Sequence, residues 1–228
     1  LTMMMVLSMT ACAKEEAQPT EAAAQPTAAT EAAAVAETTA APAETEAAAA
    51  PVNVMVLNGT TGFGVANLMD AAAKGEAPLL VVCDEISDPH NLGAIIRCAE
   101  GAGAHGVIIP KRRAAGATPA VAKASAGALE HMAVAKCANV ADTVRKLKDK
   151  GLWIFAAEAD GTDYTKADLD IPAEIVVGSE EYGISDIVKK NSDFIVSIPM
   201  LGKVNSLNVS TAAAVLLYEA VRQRNLKI

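Results

Sequence analysis

No stretch of this 228-residue chain approaches the ~20 consecutive apolar residues that span a bilayer. It also lacks a Walker loop and a strand-linked GxGxxG, so two common phosphate-binding devices are excluded. His90, His105 and His131 are too scattered for a metal site, and no zinc spacing exists, so no metal is expected. Cysteine is scarce, with four in the chain; the three in 78–228, Cys83, Cys98 and Cys137, show no CxxC and are odd in number. They read as buried free thiols of a reducing compartment. Positive charge is not in excess either. Of the formal −8, residues 1–77 carry nine acids and two bases, leaving 18 acids and 17 bases in 78–228. The second part is near neutral, so any nucleic acid would be held by one face with local cations.

The first 77 residues differ in kind from the rest. Residues 1–12 form a short apolar run ending in Cys12 that resembles a lipoprotein signal with its lipobox. Yet no Lys or Arg precedes that cysteine, so the basic region of an export signal is missing. Residues 13–51 are mainly Ala, Glu, Thr and Pro; they cannot build a core and read as a disordered tether. Residues 52–77 read as a strand, a Gly/Thr turn and a helix start, resembling the opening of a solute-binding protein. The join near Ala77 is either a fusion or an assembly error.

Residues 78–228 suffice for one domain with a sizeable core. Apolar runs at 79–86, 105–110, 153–159, 174–178 and 193–199 alternate with helical stretches around 91–101, 117–131, 139–150 and 209–224. Their hydrophobicity is continuous rather than alternating, which predicts parallel strands covered on both faces. The fold class is therefore α/β.

Three segments carry the chemistry. Asn91 and Arg97 stand six positions apart at the start of a helix that follows a buried strand. An N-cap Asn and a solvated Arg would be the plain reading. Gly178, Ser179 and Glu180 follow the strand EIVV, putting a flexible backbone and a carboxylate at a strand's C-terminal edge, where open α/β sheets bind ligands. The segment Ile198 to Glu219 joins a strand to a helix through a loop with Gly202, Ser206 and Asn208, able to hold a ligand by its backbone. Lys111, Arg112 and Arg113 add three consecutive cations beyond another strand, suited to phosphate.

In this order, the three segments resemble the SpoU (TrmH-like) family of AdoMet-dependent RNA ribose 2′-O-methyltransferases. The resemblance implies a SPOUT fold: a parallel sheet with a C-terminal trefoil knot, S-adenosyl-L-methionine bent within it, and a homodimer formed through knot-region helices. It implies that Asn91 and Arg97 serve the target nucleotide. It further implies that Glu180, Ser206 and Asn208 complete the catalytic set, and that Gly178, Ile198 and Leu207 contact the cofactor through their backbones. A guanosine of 23S rRNA is the implied acceptor, and the cytoplasm the implied compartment. A membrane anchor would follow only if Cys12 is processed. A non-catalytic RNA-binding relative and an exported solute-binding lipoprotein remain as alternatives. One departure stands out: the family's GSEG reads GSE followed by Glu181 here. If that position needs a positive φ, glutamate costs about 1–2 kcal/mol.

Overall fold

The computed structural model describes residues 54–56 and 74–225. The signal-like segment, the tether and all of the 52–77 reading except its short strand and residues 74–77 lie outside the described residues. The strands are β1 (Val54–Val56), β2 (Leu79–Asp84), β3 (Gly106–Pro110), β4 (Val134–Cys137), β5 (Trp153–Asp163), β6 (Ala173–Gly178) and β7 (Phe194–Ser197). All pair in parallel in the order β1-β4-β3-β2-β6-β5-β7. The helices are α1 (Pro89–Gly101), α2 (Pro119–Ala124), α3 (Ala128–His131), α4 (Val140–Lys148), α5 (Asp186–Asn191) and α6 (Val209–Asn225).

Both faces of the sheet are buried, as continuous hydrophobicity predicts. Leu79, Val81 and Cys83 point to the face covered by α1, α2, α3 and α6, where Leu92, Ile95, Leu129 and Leu216 close the core. Leu80 and Val82 point to the other face, against Val140, Val144 and Leu147 of α4 and Val188 of α5. Among the described residues, no helix is long and apolar enough to cross a membrane.

Local chemistry sets the helix starts. Asp88 Oδ1 accepts from the His90 amide at 3.0 Å with Pro89 at the first position of α1, so the cap is Asp88 and not Asn91. Thr118 and Pro119 open α2 in the same way, and Asn139 Oδ1 caps α4 by accepting from Asp142 N at 2.9 Å. The single helix expected over 117–131 is broken, because Ala126 (φ 50°) and Gly127 (φ 89°) are left-handed and end the run between α2 and α3. Two elements escape the sequence reading. Strand β4 has four residues, one of them Lys136, and α5 has six, too few for a period to emerge.

The last helix is tied to the start of the domain by one side chain. Arg224 donates to the carbonyls of Ala77 (2.6 Å), Pro78 (3.2 Å), Leu169 (3.1 Å) and Ile171 (2.9 Å). Gln223 adds bonds to Ala167 O and from Leu169 N at 2.9 and 2.7 Å. These carbonyls precede β2 and β6, so α6 is stapled to the N-terminal side of the two central strands.

Candidate active site

Strands β2 and β6 end side by side, with Asp84 in register with Gly178. Beyond Gly178 the chain makes a narrow turn from Ser179 to Gly183, closed by two backbone bonds of 3.0 and 2.9 Å between those residues. Gly178 must lack a side chain here, since a Cβ would lie 2.1 Å from the Gly183 backbone. Two carboxylates fix the exit of the turn. Glu158 Oε1 accepts from Ile184 N at 2.8 Å, and Asp84 Oδ2 accepts from the amide and hydroxyl of Ser185 at 2.9 and 2.7 Å. Glu158 is itself paired with Lys189 at 3.1 Å.

This turn aims Glu180 at residues from two other motifs. Asn91, buried in the first turn of α1, donates its side-chain amide to Glu180 Oε1. Asn208 donates to both Asn91 Oδ1 and Glu180 Oε1 at 3.0 Å. Its own Oδ1 accepts from Ser210 N at 2.9 Å and from Ser210 Oγ at 2.6 Å, capping α6. Three residues that the sequence singled out on separate segments thus form one closed hydrogen-bonded cluster.

The cluster is a partition between two cavities. One, of about 470 Å³, is walled by apolar groups including Val177, Val196, Ile198, Met200, Leu207 and Leu216. Gly178, Ser206 and Asn208 also line it, as do the carboxylates of Glu158 and Glu180. The second cavity, of about 340 Å³, is polar and bounded by Glu85, Asp88, Asn91, Arg113, Glu181 and Tyr182. Ser179 and Glu180 belong to both linings.

The remaining expected residues fall around this centre. Arg97 does not converge with Asn91: it is exposed on α1 and lines neither cavity. Six helical positions turn the two side chains to different sides. Lys111, Arg112 and Arg113 are exposed, and Arg113 reaches the polar cavity, where it pairs with Glu85 at 3.2 Å. Both partners have left-handed backbones, with φ of 58° and 60°. The strain expected at Glu181 is absent: the turn's left-handed residue is Gly183 (φ 66°), two positions later. Of the three thiols among the described residues, Cys83 and Cys137 are buried but Cys98 is only half-buried. Burial, reinforced by the neighbouring Asp84 charge, pushes the Cys83 thiol up to about 12.

Sequence reasoning missed Glu158, Met200, Asn205 and Tyr182 at the site. Glu158 alone carried a signal, as a carboxylate near the end of an apolar strand. The others depend on how the loops fold back.

Known proteins resemble this chain in sequence and in fold. A TrmH family tRNA/rRNA methyltransferase assignment is carried by YacO of Bacillus subtilis, which is 47% identical over 156 residues, 68% of this chain and 63% of that protein. The chain thus spans less than two thirds of the length of the curated relatives it matches first. The SpoU methyltransferase AviRb from Streptomyces viridochromogenes, solved in complex with the cofactor AdoMet, is 34% identical with a TM-score of 0.61, covering 66% of this chain and 59% of that one. An AdoMet-bound rRNA methyltransferase from Sinorhizobium meliloti is 30% identical at a TM-score of 0.61, covering 64% and 57%. The family model for SpoU rRNA methylases matches residues 78–218, a span that holds every member of the Asn91, Glu180 and Asn208 cluster. This chain belongs to the SpoU rRNA methylase family.

Proposed function

We propose that the chain transfers a methyl group from S-adenosyl-L-methionine to a ribose 2′-hydroxyl of RNA. The observation that carries this reading is the partition: an apolar cavity and a polar one share a thin wall that ends in the Glu180 carboxylate. The apolar cavity fits the cofactor. Its volume lies in the range of small-molecule sites, Ile198 and Leu207 suit a purine, and the Glu158 and Glu180 carboxylates favour a cation. The cofactor supplies an electrophilic methyl group on a sulfonium. Gly178, Ile198 and Leu207 would hold it, with Ser206 closing the loop around it.

The chain's own residues then do the positioning. Asn91 and Asn208 saturate Glu180 Oε1 and hold the carboxylate in one orientation, leaving Oε2 to accept from a hydroxyl in the polar cavity. Orientation and exclusion of water account for much of the rate in such a transfer. Arg97, Lys111, Arg112 and Arg113 bind phosphates flanking the acceptor; an arginine is too weak an acid to serve as a base. The finer reading is a guanosine of 23S rRNA in the cytoplasm. A homodimer belongs to the same proposal, supported by the exposed Leu201, Val204 and Tyr218. So does the knot, because 198–208 leaves edge strand β7 and returns to the end of central strand β6.

The test is incubation of the full chain with methyl-labelled AdoMet and RNA from cells lacking this gene, followed by nucleoside analysis. A 2′-O-methylnucleoside is expected. Label confined to bases, or no AdoMet binding by calorimetry, would overturn the proposal.

A further inference from the structure

The polar cavity is acid-rich for a site that faces RNA. Glu85, Asp88, Glu180 and Glu181 line it against the single cation Arg113. Such a lining disfavours phosphate and favours groups that donate hydrogen bonds, which in RNA are ribose hydroxyls and the N–H edges of bases. Most of these carboxylates are already engaged. Asp88 caps α1, Glu85 holds Arg113, and Glu180 takes the two amides. Glu181 differs, since its one hydrogen bond among the described residues is from the hydroxyl of Tyr182, at 2.8 Å.

Tyr182 is the second unusual feature. Its side chain is 77% exposed and adds nothing to the core, yet it is held firmly. Its amide donates to Ser179 Oγ at 3.1 Å, the turn beneath it is closed by the Ser179 and Gly183 backbone pair, and its hydroxyl is fixed on Glu181. A bare aromatic ring on a rigid turn, beside a cavity that admits donors, has the form of a stacking platform for an unpaired base.

Resting on the RNA-methylation reading above, we infer that Glu181 and Tyr182 bind the nucleobase of the acceptor nucleotide and that Glu181 selects it. Tyr182 stacks on the base and Glu181 accepts from its Watson–Crick edge. A carboxylate can only accept, and guanine alone presents two adjacent N–H donors, N1–H and the 2-amino group. The pair therefore favours guanine. Glu181, in the position where the family motif has glycine, becomes a specificity-determining residue.

The experiment uses the full chain and the RNA it methylates, synthesised with either guanosine or inosine at the acceptor position, inosine lacking the 2-amino donor. The wild-type chain should prefer guanosine in kcat/KM by roughly 5- to 150-fold, the range set by one two-pronged edge contact. Glu181→Gln should bring that ratio close to one. Tyr182→Ala should raise KM for both RNAs by roughly tenfold, the scale of a lost stacking partner, and keep the ratio. AdoMet binding, measured by calorimetry, should be unchanged in both variants. A methylated nucleoside other than guanosine, or a guanosine-to-inosine ratio unchanged in Glu181→Gln, overturns this inference alone. If the wild-type chain binds AdoMet but methylates no RNA, the underlying reading falls and this one with it.

Discussion

Asn208 and Glu180 meet at 3.0 Å, although 28 residues separate them in the chain. The same Asn208 side chain caps α6 through its other atom. One residue therefore does two jobs: its amide nitrogen orients the carboxylate at the partition, and its amide oxygen starts the last helix.

Those two jobs are separable by substitution. Asn208→Ala should lose the cap, costing about 1 kcal/mol, together with methyl transfer. Asn208→Ser keeps a capping oxygen but is too short to reach Glu180, so it should retain most of the stability and still lose transfer. Urea unfolding alongside methyl incorporation checks both. Equal stability loss in the two variants would show that the cap does not act independently.

Arg97→Ala should lower methyl transfer by roughly tenfold or more, the scale of one charge-assisted contact, and leave AdoMet affinity unchanged. The side chain is exposed and lines neither cavity. Arg97→Lys should recover only part of the loss, because an ammonium cannot make a two-pronged contact. Single-turnover kinetics with calorimetry in parallel decide this, and full activity in the alanine variant would remove Arg97 from the RNA face.

Arg224→Met should destabilise the domain by about 2–3 kcal/mol, the scale of hydrogen bonds to a charged group. It strips the donor from four carbonyls while keeping much of the stem's apolar contact. The midpoint of urea unfolding is the readout. AdoMet affinity of the folded variant should not change, since Arg224 lies at the other end of β6 from the cavities.

Glu174 is fully buried on β6 with neither carboxyl oxygen hydrogen-bonded among the described residues. Burial, helped by the nearby Asp193 charge, holds its pKa well above the ordinary value. In the unfolded chain the carboxyl ionises near its usual pKa of about 4.3, while in the fold it keeps its proton to a higher pH. The folded state thus loses stability as pH rises through that ordinary value and onward to the raised one. Glu174→Leu removes this penalty. The variant's stability gain should be smallest below about pH 4 and widen as pH rises above the ordinary carboxylate value, as followed by denaturant unfolding at a series of pH values. A gain independent of pH would show that packing, not ionisation, is responsible.

Among the cysteines of the described residues, Cys98 should react first with a thiol reagent and Cys83 only on unfolding. The Cys83 thiol is buried and raised to about 12, whereas Cys98 is half-buried, with the Arg97 charge partly offsetting its upward shift. Timed alkylation with peptide mapping reads the order, and early modification of Cys83 would contradict its burial.

The sheet was legible because its strands are unbroken apolar runs such as Leu79 to Cys83, a signal that survives without knowing the partners. Helix α1 is legible for the same reason, although it starts at Pro89 rather than at the expected 91. Asp88 takes the capping task that the plain reading gives Asn91, which leaves Asn91 for Glu180. The rule that ligands gather at the C-terminal ends of parallel strands points to Gly178 and Glu180, whereas Asn208 is joined to them in the sequence only through the family resemblance. The direction of Arg97 was not legible, because it depends on the rotation of α1 against the sheet. The exposed ring of Tyr182 was equally hidden, since nothing local distinguishes a tyrosine on a turn from one in a core.

The grip of Arg224 on Ala77 and Pro78 also limits how the domain can be dissected. A chain trimmed past Pro78 would deprive the guanidinium of two of its four acceptors, and one shortened before Arg224 would strand the same carbonyls. Each margin of the domain is an anchor for the other, so neither can be shaved independently. During synthesis, the first central strand must wait for the final helix before its entrance is sealed.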